Sequence, residues 1–160
     1  MRLSRSLPAV AALVFLAACD LSTAPNVPDP IDPAVDTYAT SLGINIASMT
    51  KTTSGLYFKD KTVGTGTAAV VNDSISFNYT LWLTNGTQVE TSVGSSGVRP
   101  SFKIGDPGII RGFSEGFIGM KPGGVRTLVV PAALGYGSRG KAPVQPNANI
   151  IFEIEYITKL

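Results

Sequence analysis

The chain contains no histidine and only one cysteine, and these two shortages exclude most familiar catalytic repertoires. Without histidine there is no Ser-His-Asp triad, no Cys-His pair and no imidazole-based zinc site. With Cys19 alone there is no internal disulfide, no Cys-Cys redox motif and no cysteine cluster for zinc or iron–sulfur. Charge is scarce as well: Asp, Glu, Lys and Arg make up 15% of the 160 residues, 13 basic against 11 acidic. Arg2 and Arg5 lie in an amino-terminal segment that reads as removable, and without them the two signs balance. A neutral chain without a Lys/Arg cluster gives no electrostatic ground for a nucleic-acid partner.

What is present begins with an address. Residues 1–18 show two arginines, an uncharged run from Leu7 to Ala18 and then small residues, which is the pattern of a secretory signal peptide. The run is shorter than the ~20 apolar residues that span a bilayer. Leu16-Ala17-Ala18-Cys19 resembles the lipobox of bacterial lipoproteins, in which the cysteine is diacylated, the signal is cut before it and the new amino terminus is acylated. Several acyl chains, each CH₂ contributing ~0.8 kcal/mol, anchor stably where a single chain binds only marginally. The expectation is therefore a lipid anchor at Cys19 in a bacterial cell envelope. Asp20 resembles an inner-membrane retention signal whose meaning varies between bacteria, so the choice of membrane stays open.

Residues 19–50 read as the lipidated cysteine followed by a proline-rich linker. Pro25, Pro28, Pro30 and Pro33 crowd together, with Asp29, Asp32 and Asp36 interspersed. Proline at this density favours an extended tether, and the acids lack the spacing and glycine of an EF-hand loop. Within it, Tyr38–Met49 carries Leu42, Ile44, Ile46 and Met49, compatible either with a segment lying against the domain or with a short helix.

Residues 51–160 read as one folded domain, mostly strand. In Ser74–Leu83 the odd positions Ile75, Phe77, Tyr79, Leu81 and Leu83 make one apolar face, with Trp82 an exception on the polar one. Trp82 needs a cover, either a loop or the amino-terminal extension. Asn85-Gly86 tolerates positive φ and predicts a tight hairpin into Gln88–Ser92. Ile150, Phe152, Ile154 and Tyr156 alternate along another long strand, and Leu56–Lys59, Val125–Val130 and Ser101–Ile104 bring the expectation to about five. Ile110, Phe113, Phe117 and Ile118 instead recur at helical spacing, predicting a short helix over Arg111–Met120. The fold class is α+β: a curved antiparallel sheet wrapped on one short helix, large enough at about 105 residues to bury one core.

The ordered blocks FNYTLWLTNGT, IGDPGIIRGFSEGFIGMKPGG, VPAALGYG and PNANIIFEIEYITKL are similar to the FKBP-type peptidyl-prolyl cis-trans isomerases, the macrolide-binding immunophilins. The likeness runs from about Gly55 to Leu160. It implies a hydrophobic pocket between sheet and helix, Xaa-Pro segments of unfolded or exported proteins as partners, and a possible macrolide ligand. The chemistry implied is rotation about an amide whose barrier is ~18–20 kcal/mol. No bond breaks, so it needs no nucleophile, metal or cofactor, in keeping with the missing residue types. The likeness makes Phe113 the pocket floor, where the family often has tryptophan, with Tyr79 and Phe152 as walls. Ile109 and Ile110 precede the helix, the Ile110 N–H bonding a substrate carbonyl, and Tyr136 points its hydroxyl at the substrate. Val144 is the apolar residue at the far end of the next loop. Val89 and Glu90 stand where Phe-Asp is usual, and Pro100 stands where an aromatic rim residue is common.

Alternation alone does not separate pocket from core. On that ground Phe77, Leu81, Phe102, Phe117 and Ile154 are assigned to the core. Gly135–Gly140 matches a dinucleotide fingerprint by letters, but Lys141-Ala142-Pro143 cannot open the helix that a pyrophosphate needs. Arg99, Lys103, Arg111, Arg139 and Lys141 read as solvated loop charges.

Overall fold

The computed structural model describes residues 27–94 and 100–160. Seven strands form one antiparallel sheet: β1 Thr50–Lys51, β2 Tyr57–Thr62, β3 Ser74–Leu83, β4 Gln88–Thr91, β5 Ser101–Lys103, β6 Val125–Val130 and β7 Ile150–Lys159. Their order is β1-β2-β6-β7-β3-β4, and β5 pairs with the start of β3 on the edge that β4 uses further along. Both short strands on the edge of β3 fall where the sequence placed them, and the strand it did not show is β1, whose two residues carry too little alternation to be counted.

The sheet's inner face follows the predicted period of two. Ile75, Phe77 and Leu81 of β3 meet Ile150, Phe152, Ile154 and Tyr156 of β7 in one buried cluster with Leu128 and Val130 of β6. A single helix, α1 Arg111–Gly116, crosses this face. It is shorter than the expected Arg111–Met120: Gly119 takes φ +80° and its N–H turns away to Ala69 O, so the chain leaves the helix by a turn.

Two glycines set how closely α1 approaches the sheet. A Cβ on Gly112 would stand 2.5 Å from Val130 Cγ1, and one on Gly116 would collide with the Leu128 methyls. Arg126 fastens the helix from the other end. Its guanidinium pairs with Asp60 through Nε–Oδ1 at 2.6 Å and Nη2–Oδ2 at 3.1 Å, and Nη1 donates to Gly116 O and Ile118 O at 3.0 and 3.1 Å. It also lies over the Phe58 ring at 4.3 Å. The Gly116 carbonyl is among those a helix end leaves without intrahelical donors, and the Ile118 carbonyl follows in the turn beyond it, so the buried cation closes the end of the helix.

The outer face is covered by the segment before β1. Tyr38, Leu42, Ile44, Ile46 and Met49 pack with Trp82 over Tyr57, Val129 and Ile151. Both open alternatives for this stretch hold at once, since it lies against the sheet and includes two 3₁₀ turns, Thr40–Leu42 and Ile46–Ser48. Before it, Ile31 and Val35 stay 52% and 77% exposed. Asn149 holds this stretch, donating through Nδ2 to Ile31 O at 3.0 Å and Asp36 Oδ2 at 2.7 Å, while its Oδ1 accepts from Ala132 N–H at 3.3 Å.

Gly112→Ala adds one methyl to a contact with no room for it. The expected result is a loss of about 1–3 kcal/mol of stability, despite alanine's better helix propensity, read as a lower urea midpoint with an unchanged slope.

Candidate active site

Phe113 is the residue of α1 that meets an aromatic wall on every side. Its ring centroid lies 4.8 Å from Phe152, 5.5 Å from Phe77, 5.6 Å from Tyr79 and 5.8 Å from Phe102, tilted or edge-on in each case. Strand register explains the convergence. Leu81 pairs with Phe152 and Tyr79 with Ile154, so Tyr79 and Phe152 are diagonal neighbours on the face that α1 crosses. Aromatic pairs at these separations hold their mutual angles, which keeps the floor and walls in place.

Beside this cluster opens a pocket of about 340 Å³. Of the expected site residues, Tyr79, Glu90, Ile109, Ile110, Phe113, Tyr136 and Phe152 line it. Phe77, Leu81 and Phe102, assigned to the core from sequence, line it too, whereas Phe117 and Ile154 are fully buried as expected. Pro100 stands on the rim. Two expected residues are not part of the lining. Val144 is 4% exposed and joins the core, because the Lys141–Val144 bridge turns the loop so that valine points inward. Lys141 lines the pocket instead, its Nζ 5.5 Å from the Tyr136 ring centroid. Val89 packs against the core from β4. Alternation identified the face of Phe77 and Leu81 but not their depth, and no sequence signal marked Lys141.

The polar features are few. Ile110 stands at the N-cap of α1 with extended backbone, its carbonyl accepting from Ser114 N–H at 3.1 Å, while its own N–H finds no acceptor among the described residues. The approach to Ile110 is braced. Ser114 Oγ accepts from Gly105 N–H at 2.8 Å, and Asp106 Oδ1 accepts from Gly108 N–H at 2.8 Å, so the 105–109 loop is tied to the helix it precedes. The Tyr79 phenol is held above the ordinary tyrosine value, first by burial and then by hydrogen bonding to Glu90 and the charge of that carboxylate. It therefore stays protonated at neutral pH.

A larger depression of about 840 Å³ lies on the other flank of α1. It shares Ile109 with the aromatic pocket but has only Phe58 for an aromatic wall and does not include Ile110. The pocket floored by Phe113 is the one built to enclose a small apolar ring, and it is the candidate site. Among the described residues no group of three or more His, Cys, Asp or Glu side chains is placed to hold a metal ion.

A short helix laid on a curved antiparallel sheet, with an aromatic cleft that includes the Ile110 N-cap at the helix start, defines a binder of compact apolar rings attached to an acceptor carbonyl. The profile of the FKBP-type peptidyl-prolyl cis-trans isomerases matches residues 66–157, and the chain belongs to that family. A FK506-binding protein of Neisseria meningitidis serogroup B is 40% identical over 105 residues, covering 64% of this chain and 94% of the relative. The chloroplastic peptidyl-prolyl cis-trans isomerase FKBP13 of Arabidopsis thaliana is 34% identical over 148 residues, covering 79% of this chain and 71% of the relative. The crystal structure of AtFKBP13 superposes with a TM-score of 0.64 at 35% identity, covering 71% of this chain and 99% of that one. The protein is thus a peptidyl-prolyl isomerase of the FKBP type.

A phenol whose folded value is raised stabilises the fold fully below the unfolded value near 10 and loses that contribution as pH rises beyond it. The expected result is a falling urea midpoint above pH 10, with a shallower fall in Tyr79→Phe and an intermediate one in Glu90→Gln.

Proposed function

We propose that this isomerase acts on Xaa-Pro segments of exported proteins at a bacterial cell envelope, held there by lipid on Cys19. Cys19 and the signal pattern lie outside the described residues, so the anchor rests on the sequence: the sole cysteine falls where a lipobox would put the lipid. No helix among the described residues is long and apolar enough to cross a membrane.

The observation that carries the site reading is the aromatic pocket floored by Phe113, with the Ile110 N–H at its mouth unpaired among the described residues. A prolyl ring enters between Tyr79 and Phe152 and rests on Phe113. The planar amide is the more polar form, because resonance separates charge across it. Removing water therefore costs the planar state more than the twisted one, which lowers the rotational barrier. The Ile110 N–H holds the substrate carbonyl on one side of the rotating bond while the ring is held on the other, and a donor aligned with the twisted geometry favours it over the planar one. Tyr136 supplies a second donor from the loop after β6, and the protonated Tyr79 keeps anionic charge off the ring's path. Glu90 lines the pocket together with Tyr79. The same pocket is proposed to accept an FK506-type macrolide, as the names of the Neisseria relatives say of those proteins.

A second reading is a weak catalyst that mainly holds unfolded chains. The position of Val89 favours it, since this residue packs on the core and contributes no wall where the family usually has phenylalanine.

Exchange NMR on Xaa-Pro peptides with the full chain is expected to give a rate well above the uncatalysed one. Tyr136→Phe, which removes one neutral hydrogen bond, is expected to lower kcat/KM about two- to tenfold. A wild-type rate equal to the uncatalysed rate supports the holding reading instead. Cys19→Ser in the full chain is expected to abolish palmitate labelling and move the protein from the membrane to the soluble fraction.

A further inference from the structure

The depression on the far flank of α1 is not absorbed by the prolyl site. Its walls are Leu56 and Phe58 of the β2 segment, Ile104 and Ile109 around the 105–109 loop, Val71, and Ile118 after the helix. Val71 and Ile118 are 55% and 42% exposed, and Val70 beside them is 55% exposed. These side chains leave apolar surface in water at the rim, and a contiguous patch of that kind marks an interaction site.

Most of the polar groups around it are occupied, Arg111 being a lining cation without an ion pair among the described residues. Ser54 Oγ donates to the Glu115 carboxylate at 2.7 and 2.8 Å. Arg126 is taken up by Asp60 and by the Gly116 and Ile118 carbonyls. The walls thus offer apolar contact with few free polar handles, which suits recognition by hydrophobic area and tolerates varied sequence.

What would fill it follows from continuity with the prolyl pocket. Ile109 lines both, Gly108 stands on the pocket side and Pro107 on the groove side. A polypeptide with its proline against Phe113 and a carbonyl at Ile110 has to leave the pocket, and the passage over Ile109 leads into the groove. Resting on the isomerase reading, we propose that the groove is an exosite for an apolar segment of the same client chain, flanking the proline being isomerised. It holds the client by a second contact, so long unfolded substrates bind more tightly than short peptides while the rotation itself is unchanged. The gain comes from an effectively intramolecular second encounter once the first contact is made.

The test uses the full chain with two substitutions at exposed positions away from the prolyl pocket, Ile118→Glu and Val71→Glu, singly and together. Two probes are compared: a tetrapeptide with a central Leu-Pro, and a fluorescent dodecapeptide with the same Leu-Pro between leucine- and valine-rich flanks. The expected result is that the double variant keeps the tetrapeptide kcat/KM but binds the dodecapeptide about tenfold more weakly by anisotropy. Unchanged dodecapeptide binding overturns the proposal, and so does an equal loss on both probes. Sedimentation separates another occupant: a wild-type dimer broken by Ile118→Glu, with dodecapeptide binding intact, assigns the groove to a second copy and overturns the exosite. A wild-type protein that turns over no tetrapeptide defeats the isomerase reading by itself, while the anisotropy contrast still decides the groove.

Discussion

The distance between α1 and β6 governs the rest of the molecule. Gly112 and Gly116 remove the side chains that would hold the helix off the sheet, and Arg126 draws its last carbonyls toward β2 and β6. Phe113 sits between the two glycines, so its ring reaches Tyr79, Phe152 and Phe77 only because the backbone beneath it is so close. A buried arginine is costly to desolvate unless its hydrogen-bonding and charge requirements are met. Here Asp60, two carbonyls and the Phe58 face supply that compensation. Losing any one of them would leave the cation with less than it gave up on leaving water.

The pocket is assembled from parts far apart in sequence: β3, β4, β5, the loop before α1, the helix, the loop after β6, and β7. None carries a reactive group in the usual sense. Catalysis of a rotation needs a place where the planar amide is disfavoured and a donor is already aimed, and both are matters of shape. Missing histidine and scarce charge accord with that requirement, since an apolar enclosure gains from having few competing ions near it.

Much of this was legible beforehand, and the misses have specific causes. The faces of β3 and β7 could be read because alternation is a property of neighbouring residues, and the helix announced itself through Phe113 and Phe117. Depth along a strand is different: Phe77 and Leu81 share a face with Tyr79, and only the crossing position of α1 decides which of them meets the pocket. Val144 left its expected place in the pocket for the core, and Lys141 took a place in the lining, beside a local bridge that leaves no periodic trace. The covering segment, Tyr38–Met49, stayed undecided in the sequence because its apolar residues serve a sheet face that no local period reveals.

That covering segment changes where the folding unit begins. Tyr57, Val129 and Ile151 are almost wholly shielded, and the shield is supplied by residues well upstream of the first strand. A version trimmed to start at Thr50 would keep every element of the pocket yet bare a greasy sheet back, a surface prone to self-association. Solubility of the shortened protein is therefore written into residues that never approach the proline.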